Sequence, residues 1–155
     1  MEPVVKQIHN FLLKNRKTVA VAESCTGGLL SNLLTHIPGS SQYFTLGLVV
    51  YSNATKRTIL KIPASVIYNK GAVSGSVAKA MARGVRKIAN SDFGIGITGI
   101  AGPTGGTLQK PVGTVFIAIA SKNKKTCQRF KFTGRRLTIR KKAALKSLEL
   151  LKKAF

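Results

Sequence analysis

The sequence predicts an α/β protein: a three-layer α/β/α fold on a mixed, mostly parallel sheet of about five strands, one of them antiparallel. Short apolar runs alternate with stretches of helical periodicity along most of the chain. The first run, residues 18–22, is apolar at every position, which is typical of a central strand covered on both faces. Between residues 98 and 112 the chain is rich in glycine and shows no helical pattern. A parallel crossover usually needs a helix, so we expect the next strand to return antiparallel.

Helices are predicted where apolar residues recur at helical spacing after a residue that favours the start of a helix. Pro3 suits the first turn of one helix, and Ser74 is a favourable N-cap for another. Ile88, Leu137 and Phe155 are predicted to face the core. Residues 63–69 are predicted to be a connection. The predicted helices cover residues 3–15, 29–35, 53–60, 74–89 and 137–155.

Strands are predicted in the remaining apolar runs. The second run is apolar on both faces. In the last, Phe130 and Phe132 alternate with Arg129 and Lys131, which indicates an edge strand with one face in water. The predicted strands cover residues 18–22, 44–52, 93–98, 112–120 and 126–133.

Length and composition predict one globular domain over residues 1–155, with 44% hydrophobic residues. No apolar run is long enough to span a membrane, and the N-terminus lacks the pattern of a signal peptide. We therefore expect a cytoplasmic protein without a membrane partner. Cys25 and Cys127 fit no metal-ligand spacing, and the few acidic residues form no cluster, so no metal or other cofactor is expected.

The charge is strongly positive, with 26 basic residues against 4 acidic ones and a net charge of +22. Such a chain is expected to associate non-specifically with nucleic acid at low salt. Aromatic residues are few and no nucleic-acid-binding motif is present, so specific recognition is not predicted. A general enrichment of the host's proteins in basic residues, with lysines on solvent-exposed helix faces, would give the same charge without a binding function. A non-catalytic nucleotide- or DNA-associated module is our second hypothesis for function.

Polar residues cluster at strand ends and in the loops that follow them, where open α/β sheets bind their ligands. A glycine-rich loop after the third predicted strand can present backbone N–H groups to an anion such as phosphate. The loop matches neither the P-loop nor the dinucleotide-binding fingerprint. The clusters cover residues 23–26, 40–41 with 51–56, 98–107, and 135–140.

Nucleophilic catalysis requires a hydroxyl or thiol beside a base, with donors for the developing oxyanion. His9 and His36 lie on predicted helices, so a Ser-His-Asp triad has little support. Lys56 is the candidate base, provided that burial or a nearby charge lowers its pKa. Cys25 is either a nucleophile or a small residue packed at a turn, and Glu23 is either a helix-capping partner or a ligand contact.

Taken together, the motifs resemble the CinA C-terminal domain family, in its stand-alone nicotinamide-nucleotide amidase form (PncC-type). The resemblance covers essentially the whole chain, and the order of several motifs makes it specific. The motifs are Ala-Glu-Ser-Cys-Thr-Gly-Gly at 22–28, Gly-Ser-Ser at 39–41, Tyr-Ser-Asn at 51–53 with the following lysine at 56, Gly-Ala-Val-Ser at 71–74, Thr-Gly-Ile-Ala-Gly-Pro at 98–103, and Lys-Pro-Val-Gly-Thr-Val at 110–115.

The resemblance implies a deamidase that converts nicotinamide mononucleotide into nicotinate mononucleotide and ammonia in pyridine nucleotide recycling. It implies Ser41 as nucleophile, Lys56 as base and Thr98 as catalytic support. It also implies a homo-oligomer, most simply a dimer. Residues implied to contact the substrate are Glu23, Ser24, Thr26, Gly27, Tyr51, Asn53, Gly99, Gly102, Gly105 and Arg136.

One departure from the family pattern concerns the arginine after the last strand. The usual Gly-Asp-Arg is Gly134-Arg135-Arg136 here. The replacement adds positive charge beside the expected substrate contact. It leaves open whether Arg135 or Arg136 makes that contact.

Overall fold

The computed structural model describes residues 2–155 and contains a five-stranded sheet in the order β2-β1-β3-β4-β5. β1 pairs parallel with β2 and β3, whereas β4 pairs antiparallel with β3 and β5. Four strands therefore run in one direction and β4 in the other, which confirms the predicted mixed sheet. The strands are β1 (Val19–Glu23), β2 (Phe44–Val49), β3 (Phe93–Gly99), β4 (Thr114–Ala120) and β5 (Lys125–Lys131).

Helices cover both faces of the sheet, which confirms the α/β/α layering. One apolar cluster joins α1, α2 and α6 to one face, and a second joins α4 and α5 to the other. A 3₁₀ turn, Ser40–Gln42, precedes β2. The helices are α1 (Pro3–Lys14), α2 (Leu29–Leu34), α3 (Asn53–Thr58), α4 (Ala64–Lys70), α5 (Gly75–Ala89) and α6 (Arg136–Lys152). None of the helices within residues 2–155 is long and apolar enough to cross a membrane.

The central strand β1 is buried at every position, as its composition predicts. Its residues alternate between the two apolar clusters, so one short strand connects both halves of the core. α5 lies unusually close to β3 on one side of this core. A Cβ atom at Gly94 or Gly96 would overlap the backbone carbonyls of Ala82 and Ala78. Glycine is therefore required there by close packing of helix on strand.

One prediction about an individual segment is wrong, and one apolar pattern does not correspond to burial. Residues 64–70 form α4 rather than a connection, because a helix of two turns is too short to show a clear apolar period. β2 is apolar in sequence on both faces, yet it lies at the edge of the sheet and alternate residues are exposed. Composition alone does not distinguish such an edge strand from a buried one.

Three residues predicted to face the core are exposed instead. Ile88 is 52% exposed because Ala89, four residues after the buried Val85, continues the inward stripe of α5. Leu137 is 65% exposed, since it lies about 200° around α6 from the buried Ile139. Phe155 is 40% exposed and stacks on another aromatic ring at the surface.

Candidate active site

A pocket of about 270 Å³ lies beyond the carboxyl ends of β1, β2 and β3. This is the edge at which open α/β sheets bind ligands. The pocket brings together most of the residues predicted for the site, although they come from distant parts of the chain. Those that line it are Ser24, Tyr51, Asn53, Lys56, Thr98, Gly99, Gly102, Gly105 and Arg136.

Ser24 and Lys56 form the closest polar pair in this pocket that can carry out nucleophilic chemistry. Ser24 follows β1 directly, and Lys56 lies on α3, which begins shortly after β2. The Lys56 Nζ atom lies 3.1 Å from Ser24 Oγ and 3.0 Å from the carbonyl oxygen of Tyr51. Lys56 is only 2% exposed, and this burial lowers the pKa of its amine. A buried lysine with a lowered pKa beside a hydroxyl is the arrangement that a serine nucleophile with a lysine base requires.

Ser41 is not brought to this pocket. It lies exposed in the 3₁₀ turn that precedes β2, whereas Lys56 follows the same strand. Six residues of β-strand extend roughly 17–20 Å, so the two side chains lie at opposite ends of the sheet. Within one chain the structure therefore separates Ser41 from Lys56, and Ser24 is the hydroxyl that lies beside Lys56. The sequence signal for Ser24 was its place directly after the central strand.

Thr98, near the end of β3, lies in the pocket as predicted and is 1% exposed. Its hydroxyl donates a hydrogen bond of 2.8 Å to the carbonyl oxygen of Ala72. Because the hydroxyl proton is engaged there, the lone pairs of Oγ1 are the groups left for a ligand. Thr98 is thus placed to accept a hydrogen bond rather than to donate one to an oxyanion.

Glu23 proves to be a helix-capping residue rather than a pocket residue. Its buried carboxylate accepts hydrogen bonds from the N–H groups of Gly28, Leu30 and Ser31, and from the Ser31 hydroxyl, at 2.7–3.1 Å. These donors include N–H groups at the beginning of α2, where a negative charge is favourable. These four hydrogen bonds occupy the carboxylate, which favours the helix-capping alternative over a ligand contact.

The turn between Ser24 and α2 is held from the other side by Arg140 of α6. Its Nε atom donates to the carbonyl oxygen of Cys25 at 3.2 Å, and its Nη2 atom to that of Thr26 at 2.8 Å. Thr26 and Gly27 shape this turn and are not among the residues that line the pocket, so their predicted substrate contacts stay a prediction. Gly27 has a φ of +58°, and a Cβ atom there would approach Arg140 Nη2 to 2.9 Å. The sequence placed Arg140 in a basic cluster but gave no sign of these long-range contacts.

Cys25 is packed in the interior, and burial raises the pKa of its thiol to about 12. A thiol with so high a pKa stays protonated near neutral pH and is a poor nucleophile. Of the two alternatives for this residue, the structure favours a small side chain packed at a turn.

Arg136 lies across the mouth of the pocket, whereas Arg135 is the exposed N-cap residue of α6 and does not line it. The Arg136 guanidinium donates to the carbonyl oxygen of Gly102 at 2.8 Å and to the hydroxyl of Tyr51 at 2.9 Å. Both acceptors are uncharged, so the positive charge remains available to an anion. Among residues 2–155, no group of three or more His, Cys, Asp or Glu is placed to hold a metal ion.

Comparison with known proteins identifies the family. The model of the CinA C-terminal domain matches residues 1–155. The chain belongs to this CinA C-terminal domain family. It is 46% identical over 153 residues to a putative competence-damage inducible protein of Thermoanaerobacter pseudethanolicus, covering 99% of the chain and 36% of the relative. It is 51% identical over 136 residues to a CinA-like protein of Anaeromyxobacter, covering 88% of the chain and 33% of the relative. The chain thus spans about a third of the length of these relatives.

Solved structures of the family have the same fold. The competence/damage inducible protein CihA of Agrobacterium tumefaciens superposes with a TM-score of 0.94 at 35% identity, covering 97% of this chain and 92% of that one. A CinA superfamily protein of Escherichia coli superposes with a TM-score of 0.95 at 30% identity, covering 99% and 90%. These names state no reaction.

Proposed function

We propose that this CinA C-terminal domain hydrolyses the carboxamide of nicotinamide mononucleotide to nicotinate mononucleotide and ammonia, with Ser24 as nucleophile and Lys56 as base. The observation that carries the proposal is the 3.1 Å contact between Ser24 Oγ and the buried Lys56 Nζ. The substrate itself comes from the family resemblance and is supported by the polarity of the pocket.

In the proposed reaction, neutral Lys56 accepts the hydroxyl proton while Ser24 Oγ attacks the carboxamide carbon. The tetrahedral intermediate then collapses as the C–N bond breaks, and the protonated lysine gives its proton to the departing amine, which leaves as ammonia. Water next attacks the ester on Ser24 with Lys56 again acting as base. This step releases the carboxylic acid and restores the serine hydroxyl.

One group beside Ser24 suits the carboxamide. The Oγ1 lone pairs of Thr98 can accept a hydrogen bond from the substrate amide N–H, which orients the leaving nitrogen. Backbone N–H groups of the glycine-rich loop that lines the pocket are the candidates for stabilising the oxyanion.

The mouth of the pocket suits the 5′-phosphate. Arg136 provides an unneutralised guanidinium, which binds phosphate well, and Gly99, Gly102 and Gly105 allow close approach of the backbone. The substrate is thereby oriented with its carboxamide inward and its phosphate at the surface.

The test is ammonia release from nicotinamide mononucleotide by purified wild-type, Ser24→Ala, Lys56→Met and Ser41→Ala proteins. We expect Ser24→Ala and Lys56→Met to lose at least about 10³-fold in kcat, as is typical when a nucleophile or its base is removed. Ser41→Ala is the matched control and should retain wild-type activity. Loss of activity in Ser41→Ala, or its retention in a folded Ser24→Ala protein, would overturn the assignment.

The surface charge supports a second, non-exclusive function, which is non-specific association with nucleic acid. All four acidic side chains are engaged within the molecule: Glu23 caps α2, and Glu2, Asp92 and Glu149 pair with lysines. Most of the 26 basic residues therefore lack an acidic partner. Binding to duplex DNA should weaken steeply as salt rises. Tight binding at physiological salt without amidase activity would instead favour the non-catalytic module.

A further inference from the structure

The outer face of α5 carries a stripe of basic side chains. At about 3.6 residues per turn, four basic residues of this helix fall within roughly 100° of one another around its axis. They lie on the side away from the buried Met81. An amphipathic helix that only faces water would show the same stripe, so its surroundings decide what it does. The four residues are Lys79, Arg83, Arg86 and Lys87.

The edge strand β5 adds three cations on the same side of the sheet. Phe130 packs with the apolar cluster that contains α6 residues, and side chains alternate along a strand, so the odd-numbered residues of β5 face the side of α5. Cys127 agrees with this direction, because it packs on the small cluster that contains Ala78 of α5. The cations on this side of β5 are Lys125, Arg129 and Lys131.

A groove of about 490 Å³ joins the two sets of cations. Lys79 and Arg83 line it from α5, and Lys125 lines it from β5. All three side chains are exposed. In the part of the chain that the structure describes, the ion pairs use other lysines, so these three charges are not neutralised. The groove therefore presents positive charge from two different elements towards one space.

The acidic residues of the chain are distributed away from this groove. None of them lies in α4, α5 or β5, and Asp92, which follows α5, is paired with Lys17. On the opposite face, α6 mixes its lysines with acids, as in the pair of Lys146 with Glu149. Soluble surfaces commonly intersperse both signs, whereas a surface of one sign repels itself and attracts ions of the opposite charge. This one-sided distribution favours a bound polyanion over a merely solvated helix face.

We propose that the groove between α5 and β5 binds the phosphate backbone of duplex DNA without reading its sequence. The inference rests on the nucleic-acid association proposed above and is independent of the amidase, since the groove shares no residue with the pocket around Ser24. A duplex presents about one charge per 1.7 Å of its axis, which suits a surface that offers charge alone.

The composition of the groove favours a duplex over the other common polyanions. Proteins that bind single strands stack bases on aromatic rings, and no aromatic residue lines the groove. The nearby ring of Phe116 is covered by the Arg129 guanidinium, which lies 5.7 Å from its centroid. Surfaces that bind lipid insert Trp, Phe or Leu side chains, and none of these lines the groove either.

The first test measures binding of a short fluorescein-labelled DNA duplex by anisotropy over a series of salt concentrations. It compares wild type with the double variants Lys79→Gln/Lys125→Gln and Lys6→Gln/Lys14→Gln. Both remove two charges from exposed lysines, and Lys6 and Lys14 belong to α1, on the opposite face of the sheet. We expect the groove variant to bind at least about tenfold more weakly at low salt and to reduce the slope of log K against log salt by about 2, since each phosphate contact contributes about 0.9. The α1 variant should keep the wild-type slope.

The outcomes separate the groove from the association itself. Equal effects of the two double variants would overturn the groove and leave non-specific association in place. A wild type that fails to bind duplex at low salt would overturn both. The same assay is repeated with one strand alone and with phosphatidylserine vesicles, and tighter binding to either would overturn duplex DNA as the occupant.

The second test locates the duplex on the wild-type protein through a native thiol. Cys127 lies on β5 between Lys125 and Arg129 and is partly exposed, whereas Cys25 is buried. We expect saturating duplex to suppress the alkylation of Cys127 by a maleimide, and high salt to restore it by releasing the DNA. Cys127→Ser protein gives the background from Cys25. Unchanged alkylation of Cys127 while duplex is bound would place the DNA on another surface and overturn the proposal.

Discussion

The capping role of Glu23 makes a specific prediction about stability, tested by Glu23→Ala. The substitution removes the acceptor of four hydrogen bonds at the beginning of α2, including the buried one from the Leu30 N–H. Leaving a buried donor unpaired costs about 1–3 kcal/mol, and the part-buried donors cost less because water can reach them. We therefore expect a loss of about 3–5 kcal/mol, a large share of the total stability of about 5–15 kcal/mol that is typical of a domain.

The control for Glu23→Ala is Glu149→Ala, which changes the net charge by the same amount. The Glu149 side chain is 48% exposed and pairs with Lys146 on the helix surface. An exposed ion pair of this kind contributes less than about 1 kcal/mol. The difference between the two variants thus separates the loss of the cap from the general effect of removing an acid from a very basic protein. Glu23→Gln should lie between them, since the amide retains one acceptor oxygen.

The assay is equilibrium unfolding in urea, with amidase kinetics measured on the same preparations. We expect the unfolding midpoint to fall sharply for Glu23→Ala and to stay near the wild-type value for Glu149→Ala. If Glu23→Ala unfolds within about 1 kcal/mol of Glu149→Ala, the capping account is refuted. A raised KM at unchanged stability would indicate that Glu23 contacts substrate instead.

The remaining predictions concern the pocket and the core. Burial lowers the pKa of Lys56 below the ordinary lysine value of 10.5. Because the base must be neutral, amidase activity should rise with pH through the lowered pKa and level off above it. A pH–rate profile that falls over this range would contradict the assignment. Arg136→Ala should raise KM for the mononucleotide by at least about tenfold while leaving turnover of the riboside unchanged, since a phosphate contact to arginine contributes about 1.5–3 kcal/mol. Equal effects on the two substrates would exclude phosphate recognition. Arg140→Met should lower kcat because the turn after Ser24 loses the hydrogen bonds that position it, and Arg140→Lys should restore part of the loss. A wild-type kcat in Arg140→Met would exclude a positioning role for Arg140. Gly96→Ala should destabilise the domain by more than about 1 kcal/mol, because its Cβ atom would overlap the Ala78 carbonyl, and urea unfolding measures this directly.

The resemblance to the family was correct for the fold, and the nucleophile that it implies, Ser41, stays a prediction that the geometry within one chain does not favour. It is carried by the order of motifs along the chain, and that order contains two serine-bearing turns, at 24 and at 40–41. Each turn adjoins a strand, one after β1 and one before β2. Parallel strands place their carboxyl ends at one edge of the sheet, so within one chain the serine that follows a strand, Ser24, is the one beside Lys56.

The features that could be predicted from the sequence are those that depend on residues close together in the chain. The apolar run of β1, the inward stripe of α5 and the glycine-rich return into β4 each have a local pattern, and these patterns predicted the layers and the mixed sheet. The tertiary structure decided which distant residues meet. Lys56 reaches Ser24 across 32 positions, and Arg140 reaches Cys25 across 115. Such contacts depend on how strands are ordered and how helices pack on them, and no local spacing encodes that order.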